Sequence, residues 1–263
     1  MKQILQFGLF SLKDVSRNMW LLIYTAFFAL VTIGLFQFQG HSGKVIVSIT
    51  SICLVLIPLV SILFGTMHFY NQREFTELML TQPVKRRTVY TGIYLGLATA
   101  LVIGFLAGVG FPYLIFGMGG EIEIVSLLVL IVVGTALTLI FLAVSFLIGA
   151  IFDDKGKGIA AAISFWLVTA ILYDGFILYI ATVLSDYPLE KPLLALSMAN
   201  PIDLARVVLL VQSDIAALMG YTGAVFNRFF GTSLGIAIAL LSLTVWIAAP
   251  LHWGLARFRK KDF

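Results

Sequence analysis

Residues Ile124 to Phe152 read IVSLLVLIVVGTALTLIFLAVSFLIGAIF, 29 positions without one ionisable side chain. A helix crossing the roughly 30 Å hydrocarbon core of a bilayer needs about 20 apolar residues, so this run predicts a transmembrane helix. Outward from it, apolar stretches bounded by charges recur at Met19–Phe36, Val45–Met67 and Thr91–Phe116 on one side, and at Ile159–Leu184 and Thr232–Leu255 on the other. Six such stretches predict an all-α, polytopic membrane protein. Composition agrees: 60% of the 263 residues are hydrophobic and 11% charged, whereas a soluble domain carries about 25% charged residues. So few charges cannot cover a watery surface.

The residues before the first span have a different pattern. Ile4, Leu5, Leu9, Leu12 and Val15 recur on one helical face, opposite Lys2, Gln6, Lys13 and Arg17. That pattern suits a helix lying in the membrane interface. Residues 1–18 are therefore expected to form an interfacial elbow, and residues 19–263 a six-span membrane domain. The apolar run from Met19 lacks a small-residue cleavage site, which predicts a retained helix and not a signal peptide.

Orientation follows from Lys and Arg alone, because acidic residues contribute little to the positive-inside rule. Lys2, Lys13, Arg17, Arg73, Lys85, Arg86, Arg87, Lys155, Lys157, Arg257, Arg259, Lys260 and Lys261 fall in one set of loops; Lys44, Lys191, Arg206 and Arg228 fall in the other. The richer set predicts that both termini are cytoplasmic and that the chain lies in the inner (cytoplasmic) membrane. The bases are scattered over short loops beside apolar runs, with no basic groove or stacking platform, so the pI of about 9.2 reads as topology and not as nucleic-acid binding.

Two connections carry information. The cytoplasmic loop 68–90 contains Arg73-Glu74-Phe75-Thr76-Glu77-Leu78-Met79-Leu80, in which Glu74, Glu77, Leu78 and Leu80 can form a short helix. Gln82-Pro83 must end it, because the residue before proline avoids the α region. A short helix under the membrane, followed by Lys85-Arg86-Arg87, is either a socket for a cytoplasmic partner or an ordinary amphipathic turn with positive-inside anchors. The outer loop 185–231 is long enough to fold. Asn200-Pro201-Ile202-Asp203 is a helix start: Asn caps free N–H groups, Pro fits the first position, and Asp203 sits at the positive dipole end. This helix is expected to reach about Gln212, with a second start at Ser213-Asp214, a stop at Gly220 and an amphipathic stretch Ala224–Phe230. Such pieces are too short to span and predict re-entrant or interfacial helices.

Catalytic signatures are missing from the sequence. Gly156-Lys157 is followed by Gly158 where a phosphate loop needs Ser or Thr. No HExxH or GxSxG occurs, and His41, His68 and His252 are far apart. Cys53 is the single cysteine, so neither an internal disulfide nor a CxxC site can form. The chain is expected to be no enzyme, with no cofactor or metal of its own. Met118, Met198 and Met219 offer thioether sulfur suited to Cu(I), but without Cys or clustered His they read as gap-filling side chains. Gly92/Gly96, Gly104/Gly108 and Gly231/Gly235 have GxxxG spacing, read as close helix packing, with a dimer seam as the alternative. Asp174 is the ionisable residue well inside a span. Intramembrane carboxylates suggest a pathway or an interhelical bond; with no intramembrane basic residue in sight, a structural hydrogen bond is expected over a proton relay.

The N-terminal interfacial helix with six spans, the Arg73-Glu74 to Pro83-Val84-Lys85-Arg86 loop and the long outer loop resemble an ABC-2-type permease. More narrowly, Tyr173-Asp174 followed by Asn200-Pro201-Ile202-Asp203-Leu204-Ala205-Arg206 and the Gln212–Tyr221 stretch resembles the NosY-like permeases of NosDFY transporters, which mature nitrous oxide reductase. The resemblance implies a homodimer and two copies of a separate NosF-like ABC ATPase, which would hold ATP and Mg2+. It also implies a periplasmic, copper-handling β-helix protein of the NosD type. Arg73, Glu74, Glu77, Leu78 and Leu80 would then couple to the ATPase, and Asn200, Pro201, Asp203 and Arg206 would contact the outer partner. Three readings stay open: an ABC-2 exporter of a lipid, drug or polymer, a non-transporting membrane anchor, and a secondary transporter.

Overall fold

The computed structural model describes residues 19–39, 42–117, 123–183, 190–212 and 232–261. The expected elbow helix, the pieces at 213–231, and Met118 and Met219 lie outside them. Six helices are long and apolar enough to cross a membrane: Met19–Gln39, Lys44–Asn71, Arg86–Phe116, Ile124–Ile151, Lys155–Val183 and Leu234–Lys260, spans one to six in chain order. Most run beyond the apolar stretches that announce them, span three beginning at Arg86 and span six reaching Lys260. Charge marks where hydrocarbon ends, but helical hydrogen bonding continues into the headgroup region, where Lys and Arg side chains are at home.

Span four is the axis of the bundle. Spans two and six pack along it, and span five packs on span two. Phe141 and Phe146 of span four, Ile57 and Ile62 of span two, and Leu97 and Leu101 of span three fill the seams and are almost completely buried. Among apolar helices in lipid there is no hydrophobic drive to associate, so close approach depends on small residues. A Cβ on Gly65 would run into Ser145 and Leu142, and one on Gly149 into the Phe69 ring. On Gly104 a Cβ would stand 2.8 Å from Thr25 Oγ1, and on Gly108 2.8 Å from Phe28 Cβ. This GxxxG pair therefore seats span one of the same chain. Trp20, Leu22, Phe111, Leu178 and Leu241 stand exposed on the outside, as a lipid-facing surface requires.

Two spans contain a π-helical turn, Leu106–Gly110 in span three and Val168–Leu172 in span five. The first precedes Pro112, which has no N–H to give the Gly108 carbonyl; Thr32 Oγ1 of span one lies 3.5 Å from that oxygen. The second has no proline near it, and its purpose becomes visible at the site below.

Spans five and six are separated by a helical hairpin, Glu190–Ala199 and Pro201–Gln212. The second helix has the limits expected from Asn200-Pro201 and Gln212. The first is not among the expectations above, although Pro192 in its opening turn is a start signal. The hairpin corner reaches deep: Asn200 meets Thr169, 14 residues past the start of span five and so roughly 21 Å along a helix rising 1.5 Å per residue. Helices of 10 and 12 residues that enter this far without crossing are re-entrant.

Candidate functional site

The far end of the bundle, opposite the short helix Arg73–Leu80, is organised around this corner. Non-helical backbone at membrane depth persists only where its polar groups are satisfied by protein, and here the accounting can be followed group by group. The Asn200 side-chain oxygen accepts from the Ile202 N–H at 3.1 Å, and its backbone carbonyl accepts from the Leu204 N–H at 3.0 Å. Its amide nitrogen donates to the Thr169 carbonyl at 2.8 Å and to Asp203 Oδ2 at 3.0 Å. Thr169 lies inside the π turn, where the widened helix leaves a carbonyl open to an outside donor.

The orphan carbonyls at the end of the first hairpin helix are met by neighbouring spans. The Tyr173 hydroxyl of span five donates to the Leu196 carbonyl at 2.8 Å. Ser242 Oγ and Trp246 Nε1 of span six lie 3.4 Å from the Met198 carbonyl. Tyr173, Thr169, Ser242 and Trp246 thus join the site; Tyr173 is marked only by its place beside Asp174 in the resemblance, and the other three carry no signal in the sequence. A Trp or Tyr in a span ordinarily reads as bulk or as an interface anchor.

Arg206 closes the network. Its guanidinium grips Asp174 through two bonds, Nη1 to Oδ1 and Nη2 to Oδ2, each 2.9 Å, and reaches Asp203 Oδ1 at 3.2 Å. In the sequence Asp174 has no basic partner within a span, because Arg206 falls in the outer loop. The re-entrant helix carries Arg206 inward, so Asp174 forms a bidentate ion pair and not a lone hydrogen bond. Both side chains keep about a third of their surface exposed, 36% and 35%, whereas Asn200, Pro201 and Asp203 are buried. The expected contact residues Asn200, Pro201 and Asp203 hold the hairpin from within; Arg206 lies at its edge.

The near end carries the helix Arg73–Leu80. Arg73 Nε bonds Glu77 Oε1 at 3.1 Å, an i,i+4 pair on the surface. Thr76 faces inward and is buried, while Glu74 and Leu78, one turn apart, are exposed; Leu80 is half-buried against the bundle. Both flanks of this helix are fastened. Before it, the Tyr70 hydroxyl donates to the Phe152 carbonyl at 2.9 Å, and Asn71 Oδ1 accepts from Lys155 Nζ at 3.0 Å. After it, Arg86 Nη1 donates to the Arg259 and Lys261 carbonyls at 2.9 and 2.6 Å. The segment that resembled a phosphate loop is the turn between spans four and five, where Asp154 Oδ1 caps the Lys157 N–H at 2.8 Å.

The ABC-2 family transporter protein profile matches residues 11–263. The chain is 29% identical over 267 residues to the probable ABC transporter permease protein NosY of Pseudomonas aeruginosa, covering 95% of each. It is 26% identical over 280 residues to the protein of the same name from Stutzerimonas stutzeri, covering 99% of each. A six-span all-helical bundle with a near-end amphipathic helix and a far-end re-entrant hairpin, matched by this profile over nearly its whole length, belongs to the ABC-2 family of transporter proteins.

Proposed function

We propose that this permease couples ATP hydrolysis by a separate ATPase to an event on the far side of the membrane, with the near end in the cytoplasm. The carrying observation is the helix Arg73–Leu80, which holds Thr76 inward and leaves Glu74 and Leu78 exposed one turn apart. A charged and an apolar side chain on one edge suit a socket in a cytoplasmic protein, and fastened flanks let a push be passed on. ATP and Mg2+ belong to that ATPase. The bases on Lys85, Arg87, Lys155, Lys157, Arg257, Arg259 and Lys260 support the cytoplasmic placement of this end.

In this proposal two copies of the chain form the transporter, in the inner membrane. The Asn200–Arg206 segment sets the position of the outer segment, which meets a periplasmic partner. The relatives carry the NosY name, which favours a copper-handling partner and a role in maturing nitrous oxide reductase over export of a lipid, drug or polymer. The test is purification with the cellular ATPase. The wild-type chain should recover an ABC ATPase, and Glu74→Lys with Glu77→Lys should lose it while thermal stability falls by no more than about 0.5 kcal/mol, as for surface substitutions. An intact, fully active complex carrying both substitutions would contradict the proposal.

A further inference from the structure

Residues at and just after the end of span six take part in the near-end joint. Lys261 Nζ, only 10% exposed at its side chain, donates to the Gly149 and Phe152 carbonyls at 3.1 and 3.3 Å and pairs with Asp153 Oδ1 at 2.8 Å. A lysine is thereby set on the carbonyl-rich end of span four, where the helix dipole favours a cation. The bonded ammonium holds the Asp153 carboxyl below the ordinary range. The Phe152 carbonyl also accepts from Tyr70, which precedes the short helix. Arg86, which follows that helix, reaches back to the carbonyls of Arg259 and Lys261. Both flanks of Arg73–Leu80 therefore converge on one turn, Phe152–Asp153, one directly and the other through residues Arg259–Lys261.

Beneath the short helix lies a small void whose wall includes Phe69, Tyr70, Arg73, Thr76, Tyr90 and Lys261. Beside it Met79 and Leu80 pack on the bundle, and the bonded flanks give a displacement of the helix a second route into it.

We propose that Arg86 and Lys261 are positioning residues of the coupling joint, a brace that carries displacement of the Arg73–Leu80 helix to the ends of spans four and six. The inference rests on the coupling reading above. It assigns the C-terminal residues Arg259–Lys261 a part in coupling that does not require them to touch the ATPase.

The test uses the full chain with its co-purifying ATPase in liposomes. Nitroxides sit at the exposed positions Lys157→Cys, at the near end of span five, and Ala195→Cys, on the far hairpin; Cys53 is buried. The labelled chain with Arg86 and Lys261 intact should show an ATP-dependent change in the distance between them. Lys261→Met should keep the ATPase bound and still hydrolysing but lose the distance change, and Lys261→Arg should restore it. Arg86→Met should have the same effect, and the double variant should be no worse than either single, because the two act in series. If Lys261→Met does not fold, Arg86→Met decides on the same readout, because it removes the single nitrogen, Nη1, that serves both carbonyls. A full distance change in either folded Met variant would overturn the brace. Failure of the otherwise unsubstituted, labelled chain to bind an ATPase or respond to ATP would overturn the coupling reading instead, and the brace with it.

Discussion

The two ends of the bundle are joined by opposite means. At the far end, side chains from spans five and six and both hairpin helices close on a buried corner, with Asn200 and Asp203 nearly inaccessible. At the near end, Arg and Lys side chains reach backbone carbonyls. A satisfied polar network in a low-dielectric surrounding is rigid, and each member left alone is costly. Arg86 is partly exposed and its carbonyl bonds exchange more easily with water, whereas Lys261 is only 10% exposed. In the proposed coupling, the far end would hold one geometry and the joint around Arg86 would be the part that moves.

The comparison breaks most visibly at Asp174. Asp174→Leu leaves Arg206 with Asp203 as its remaining carboxylate, and because the pair is a third exposed the cost falls between that of surface and buried pairs, about 2 kcal/mol. That corresponds to a fall in melting temperature of about 4–8 °C in a chain of this size. Combining it with Arg206→Leu should recover part of the loss, and a double variant that melts at the sum of the two single losses would show that the pair contributes nothing. Asn200→Ala removes the cap and the bond to Thr169, and should cost about 1–2 kcal/mol, read in the same melts. At the near end, Tyr70→Phe removes one bond to the Phe152 carbonyl and should cost no more than about 1 kcal/mol, while weakening the ATP response more than Asn200→Ala does. Equal stability losses at Tyr70 and Asn200 would erase the distinction between the ends.

Much of the fold is legible residue by residue. The second hairpin helix is announced by Asn200-Pro201 and ends where expected, because capping is local chemistry. The short helix Arg73–Leu80 is stopped by Gln82-Pro83 for the same kind of reason. Less of the site is legible. Asp174 and Arg206 stand out as charges, but neither predicts the other across 32 positions. Thr169, Tyr173, Trp246 and Lys261 act through carbonyl bonds, which leave no trace in residue identity.

By itself, the sequence determined that the chain lives in lipid, crosses it six times and has short helices at two connections. Transfer from water to hydrocarbon sums over individual side chains, and helix starts and stops depend on a few neighbours. Tertiary structure alone decided that the second hairpin helix carries Arg206 to Asp174, that a π turn opens a carbonyl for Asn200, and that Arg86 and Lys261 tie the neighbourhood of the Arg73–Leu80 helix to the ends of spans four and six. Each of these depends on which helix faces meet, and that is settled by close approach of whole helices at small residues such as Gly65 and Gly149.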